Sequence, residues 1–133
     1  MSDPGFETDK VGHQEPSLVS QAAVEAAGSL FDPEGWYLVD DEHGPLGVDL
    51  PQAYPDAPTL GTLLSIGVLP KRRGAGLGRA LHRFGLQVLI ERGCIDYAGS
   101  TDLANVAMQR VFELNDCPVT HQQWRYDVVT PGA

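Results

Sequence analysis

Cysteine is scarce in this 133-residue chain: Cys94 and Cys117 stand apart, with no CxxC pair and no histidine pair near either. That excludes a disulfide scaffold and a zinc knuckle, leaves no metal site to expect, and suits a reduced compartment. Basic residues are short as well, 9 against 18 acids, for a formal net charge of −9. General nucleic-acid binding needs a basic surface to displace phosphate counterions, so no nucleic-acid partner is expected. No apolar run approaches the length of a bilayer-spanning helix, and the opening MSDPGFETDK has neither an h-region nor a cleavage pattern. The expectation is a cytoplasmic protein without a membrane partner.

Acids are missing from one stretch altogether. Residues 57–90 contain no Asp or Glu but do contain Lys71, Arg72, Arg73, Arg79 and Arg83, so the segment is +5 and the rest of the chain −14. A basic island in an acidic chain points to a small anionic ligand held at one place, with a solvated helix face as the competing reading. Hydrophobic residues make up 42% of the sequence, enough for an ordinary core in one domain.

Residues 1–16 are polar and aperiodic and read as a flexible N-terminal arm, leaving 17–133 as a single domain. The alanine-rich run 17–31 predicts a helix, with Leu18, Ala22 and Ala26 on one stripe and Ser17 as N-cap. GWYLVDD and PLGVDL predict a hairpin turned around His43 and Gly44; PQAYPDAPTLG reads as a proline-rich connection. TLLSIGVLP is a buried central strand, and residues 76–92 form the best helix, with Leu77, Leu81, Phe84 and Val88 on one face and Gly93 closing it. CIDYAGS predicts a strand, residues 102–115 a helix, and VTHQQWRYDVV a terminal hairpin or strand. The order implies an α/β (α+β) fold, a mixed central sheet flanked by helices.

The informative segment is LLSIGVLPKRRGAGLGRAL, where a strand ends at Pro70 and Gly74, Gly76 and Gly78 lead directly into a helix. Glycines let backbone N–H groups approach a ligand without Cβ obstruction, and a new helix adds its unpaired N–H groups and positive end. Together they make a pyrophosphate cradle, with Arg72, Arg73 and Arg79 as countercharge; a purely structural turn is the competing reading. A P-loop needs Lys-Ser/Thr after its last glycine, but Arg79-Ala80 follows Gly78. The dinucleotide spacing GxGxxG fails too, ending at Arg79 or Leu81.

These residues resemble a known family, the GCN5-related N-acetyltransferases (GNAT). Their hallmark is a strand ending in V-x-P followed by R/Q-x-x-G-x-G/A opening a helix, here Val68-Leu69-Pro70 and Arg73-Gly74-Ala75-Gly76-Leu77-Gly78. The run from Asn105 through Met108, Val111 and Phe112 to Glu113 is similar to the family's N-x-x-A-x-x-L-Y-E helix. The resemblance implies an acyl-CoA N-acyltransferase-like fold with acetyl-CoA as acyl donor. It places the pantetheine arm along Ile66, Gly67 and Val68. The pyrophosphate falls on Arg73, Gly74, Ala75, Gly76, Leu77 and Gly78, with Arg79 nearby and Asn105 facing the pantetheine or the thiol region.

The implied reaction is direct acyl transfer to a primary amine of a small molecule or protein. A non-catalytic CoA-binding or subunit-pairing module of the same fold is the alternative. Phe112 stands where the family often carries a tyrosine that protonates the leaving thiolate, residues 59–69 offer no carboxylate, and Asn115-Asp116-Cys117 replaces a usual LGF. Only 35 residues precede Trp36, which leaves little room for the family's first strand and two early helices. A missing layer would leave apolar surface to cover, and a homo-oligomer is one way to cover it, though the sequence does not read out the oligomeric state. No catalytic residue is assigned. Asp96, on a strand face with Cys94 and Ala98, is a candidate carboxylate if partly buried there, with a salt-bridged or edge-exposed residue as the competing reading; Asp49 is a candidate too, and Tyr97 a further one. His82 and His121 read as surface or packing residues and Cys94 as a core thiol.

Overall fold

Alternating apolar residues in the middle of the chain build a single mixed sheet. The computed structural model of the protein describes residues 6–10 and 33–122. Its strands are β1 (Glu7–Lys10), β2 (Tyr37–Asp41), β3 (Gly44–Tyr54), β4 (Ala57–Val68) and β5 (Asp96–Tyr97). They lie in sequence order, antiparallel from β1 to β4, with β5 parallel to β4. Two helices follow β4: α1 (Leu77–Glu91), which crosses from β4 to β5, and α2 (Val106–Leu114).

The hairpin around His43 and Gly44 forms as its sequence predicts, with Gly44 at φ +104°. The connection expected from PQAYPDAPTLG is instead sheet. β3 continues through Pro51 to Tyr54, and β4 starts at Ala57 after a turn at Pro55 and Asp56. Proline lacks an N–H for the ladder but keeps its carbonyl, so Pro51 can still sit in the strand, opposite Leu63 at a register shift.

The flexible arm is likewise corrected for Glu7–Lys10, which pair with Tyr37–Asp40 and give the sheet a first strand. Its polar residues hide no periodicity because the strand is an exposed edge, and apolar anchoring comes from Phe6, edge-on to Phe84 at 6.4 Å. The helix expected over 17–31 lies outside the described residues, as does the terminal segment from residue 123. Residues 118–122 have no regular structure. The strand expected over CIDYAGS is only two residues long, and the last helix starts at Val106.

The core forms on both faces of the sheet. Trp36 and Leu50 pack with Leu38, Val48 and Leu64. Val39, Leu46 and Leu81 pack with Phe6, Tyr37, Ile66, Val68, Leu77 and Phe84, which seats α1. Leu81, His82, Gly85, Val88 and Leu89 are the buried residues of α1, a stripe at helical spacing. Both helices end in the same hydrogen-bond pattern. In α1, Gly93 N–H donates to Ile90 O and Cys94 N–H to Leu89 O; in α2, Asp116 N–H donates to Glu113 O and Cys117 N–H to Phe112 O. The left-handed residue is Gly93 (φ +95°) in the first and Asp116 (φ +59°) in the second, so the sequence that replaces LGF keeps the turn geometry.

Candidate functional site: a cleft between diverging strands

β4 and β5 meet at only two positions, Leu60 with Asp96 and Gly61 with Tyr97. Beyond Gly61, β4 runs on to Val68 with no β5 partner among the described residues. The cause is on β4 itself. Against β3 the register steps from Asp49 to Pro51 while β4 steps from Ile66 to Leu63, so β4 carries one extra residue. Such a bulge bends its strand and increases the twist. Ile66, Gly67 and Val68 keep β3 partners on one side, and the strand's other edge borders a gap.

The gap ends at the glycine loop. Leu69 N–H donates to Leu46 O at 2.8 Å, and a short 3-10 turn, Pro70–Arg72, carries the chain away from the sheet. Gly74 (φ +90°) and Gly76 (φ +73°) then reverse it, and Gly76 is the N-cap of α1 with no side chain capping the helix. A Cβ on either glycine would meet nothing within 4 Å, so both face open space that a ligand could fill. The positive φ values are ones that side-chain-bearing residues rarely adopt.

The basic residues of the loop have separate partners. Arg72 is half-buried and donates to Gly44 O at 3.2 Å, to Pro45 O at 3.0 Å, and to the carboxylate of Asp41. It is a strut from the loop to the β2–β3 turn, and its bond holds Asp41 below the ordinary carboxylate range. Arg73 is exposed, with Nε on Val68 O at 3.2 Å. Arg79 turns away from the loop and donates to Leu114 O at 3.1 Å and Asn115 Oδ1 at 3.3 Å. Asn105 caps α2, its Oδ1 accepting from Met108 N–H at 3.1 Å. Ala75 is exposed, while Leu77 and Gly78 open α1, the latter facing Val111 of α2.

Below the cleft lies a set of buried polar groups that periodicity alone did not expose. Asp96 is exposed, which bears out the competing reading over a partly buried carboxylate: β5 ends one residue later, too soon for strand alternation to turn it inward. The buried carboxyl is Asp49, fully inaccessible, with neither oxygen hydrogen-bonded, and desolvation pushes it well above its ordinary value against a smaller opposing pull from Arg92. His82 is also fully buried. Its Nε2 lies 3.2 Å from Tyr97 Oη and its Nδ1 2.9 Å from Asn115 Nδ2, and burial lowers its pKa to about 4. The signal for His82 was its place beside Leu81, one turn before Gly85 and two before Leu89. Cys94 is buried, as expected, and His121 exposed. Among the described residues no cluster of His, Cys, Asp and Glu could hold a metal ion, and no helix is long and apolar enough to cross a membrane.

Residues 10–115 match the Acetyltransferase (GNAT) family. The chain belongs to that family. GNAT acetyltransferases use acetyl-CoA as the acyl donor. Among curated relatives, the mycothiol acetyltransferase of Kocuria rhizophila is 33% identical over 107 residues, covering 76% of this chain and 34% of the relative. That of Nocardia farcinica is 40% identical over 75 residues, 53% of this chain and 25% of the relative. The chain thus spans about a quarter to a third of the length of the curated relatives it matches.

The GNAT fold is shared with solved structures at low identity. YycN from Bacillus subtilis, described as a putative acetyltransferase, superposes with a TM-score of 0.65 at 15% identity, over 90% of this chain and 82% of that one. The AAC(6')-Iy structure, in complex with the bisubstrate analog CoA-S-monomethyl-acetylneamine, gives 0.64 at 15% identity, over 94% and 99%.

Proposed function

We propose that this chain is the acyl-transfer domain of an N-acetyltransferase, moving an acetyl group from acetyl-CoA to a primary amine. The observation that carries this reading is the bulged β4, which parts from β5 after Gly61 and leads its open edge into the Gly74–Gly76 loop. An open strand edge suits a chain bearing amides, and the pantetheine arm has two, so it pairs along Ile66–Val68 as an added strand. The pyrophosphate takes the backbone N–H groups of residues 73–78 at the head of α1, with Arg73 as countercharge. Arg79 and Asn105 serve at one remove, by holding α2 beside α1 and by starting α2.

In this reading the amine attacks the thioester carbonyl carbon directly, with no covalent enzyme intermediate. Backbone donors on β4 polarise the carbonyl oxygen, an effect that needs no side chain. Mycothiol-related amines head the acceptors to try because the curated relatives carry that name; polyamines, lysine peptides and aminoglycosides follow. Calorimetric titration with acetyl-CoA and free CoA tests the reading, and absence of binding by both overturns it. Binding without transfer to any amine would favour the second reading, a non-catalytic CoA-binding module, for which Phe112 speaks because it has no proton to give.

A further inference from the structure

Tyr97 contributes the β5 side of the last pair before the strands part, opposite Gly61. Its ring runs forward along its own strand, and Oη lies over Gly99, whose missing Cβ leaves the room for it. Gly99 comes two residues after β5 ends, so the hydroxyl beside it stands past the last β4–β5 pair, at the mouth of the gap.

The hydrogen-bond network decides which proton that hydroxyl can offer. Arg79 O needs a donor and Arg79 Nε an acceptor, so Asn115 presents Nδ2 to the first at 3.0 Å and Oδ1 to the second at 3.3 Å. The same Nδ2 reaches His82 Nδ1, which therefore accepts. His82, neutral through burial, then carries its one ring proton on Nε2 and donates it to Tyr97 Oη. With His82 as its donor, the tyrosine keeps its own proton for another acceptor. Phe112, edge-on to the same imidazole at 5.3 Å, brings only carbon to this spot.

A thioester that loses its acyl group expels a thiolate, which must gain a proton. We infer that Tyr97, held by His82 at the mouth of the β4–β5 gap beside Phe112, is the acid that protonates the departing thiolate. The inference rests on the acyl-transfer reading above. In the step, the amine nitrogen forms a bond to the carbonyl carbon, the carbon–sulfur bond breaks, and sulfur leaves with the electron pair and takes the Tyr97 proton. The phenolate recovers a proton from water, which in turn accepts the one shed by the amine nitrogen. The titratable groups facing Tyr97 are His82 from α1, Asp49 from β3 and Cys117 after α2. Burial first, then Cys117 and Asp49, holds the phenol above its ordinary range, so it is protonated and ready at neutral pH.

The test compares the parent chain with Tyr97→Phe and with Tyr97→3,5-difluorotyrosine, which is nearly isosteric but a stronger acid. Acetyl-CoA affinity is measured by calorimetry, and kcat against pH by thiol release with spermidine, glucosamine and a lysine peptide as acceptors. Tyr97→Phe should bind acetyl-CoA within about twofold of the parent yet lose about 10²–10⁴-fold in kcat, the usual worth of a general acid. The fluorinated variant should shift the basic limb of the kcat profile to lower pH, which a packing role would not do. Unchanged kcat in a Tyr97→Phe variant that binds normally, or a basic limb that does not move, overturns the inference while leaving the acyl-transfer reading standing. A parent that binds acetyl-CoA but transfers to none of the three amines overturns it too. A parent that does not bind acetyl-CoA overturns the reading beneath both.

Discussion

The carboxyl of Asp49 lies directly over Gly85: a Cβ on that glycine would sit 2.6 Å from Oδ2 and 2.7 Å from Oδ1. A strand acid and a helix glycine have thus been fitted to each other at the sheet–helix interface, where neither carboxyl oxygen finds a hydrogen bond.

Asp49 should make the protein less stable as pH rises. Burial raises its folded pKa above the unfolded value of 3.8, so the unfolded chain releases the proton first. The contribution of Asp49 to stability is therefore greatest below 3.8 and falls with pH up to its folded pKa. Asp49→Val removes an unpaired buried polar group and should raise stability at pH 7 by about 1–3 kcal/mol. Urea unfolding of both proteins at pH 4 and pH 7 checks it, and the gain should be larger at pH 7.

Gly85→Ala should destabilise the domain by about 1–3 kcal/mol, an overpacking cost reduced by alanine's better helix propensity. The added methyl would also meet Leu63 Cδ2 at 2.7 Å. Thermal unfolding measures the loss, and Asp49→Ala in the same chain should recover part of it.

Arg72→Ala should loosen the glycine loop from the β2–β3 turn and flatten the acid limb of stability. Asp41 has a lowered folded pKa, caused first by its bond to Arg72. That contribution is present above 3.8 and disappears as pH falls through the folded value. The variant should therefore have a lower urea midpoint than the parent at pH 7 and a smaller deficit at pH 2.5.

Gly76→Glu should leave the fold in place while weakening acetyl-CoA binding by about tenfold or more. The position is open, so the penalty to folding is the positive φ alone, about 1 kcal/mol. The carboxylate would repel a pyrophosphate at the head of α1. Circular dichroism with calorimetric titration tells the two effects apart.

Much of the sheet was readable because β2, the first half of β3, and β4 alternate or run apolar, and α1 carries its stripe at regular spacing. The strand through Pro51 was hidden by proline's association with turns, and β1 by side chains that face water on an edge. The glycine loop was legible as a turn that opens a helix, whereas the partners of its cations were not. Arg72, Arg73 and Arg79 look alike in sequence, but Arg72 reaches 31 residues back to Asp41 and Arg79 reaches 36 forward to Asn115. Asp49 and His82 were likewise invisible as a buried pair, since only the packing of α1 on β3 decides that both turn inward.

The two-pair contact between β4 and β5 has a mechanical side. Amides of β3 and β4 are locked in a long ladder, whereas on the β5 side the last bond to β4 is Ala98 N–H to Gly61 O at 3.0 Å. Hydrogen exchange should find the β3–β4 half slow and residues 99–101 fast, a stiff rail facing a compliant one. A mouth built in this way can widen through motion of one side alone, and on the acyl-CoA reading proposed above the rail that would set the register of the pantetheine arm stays still.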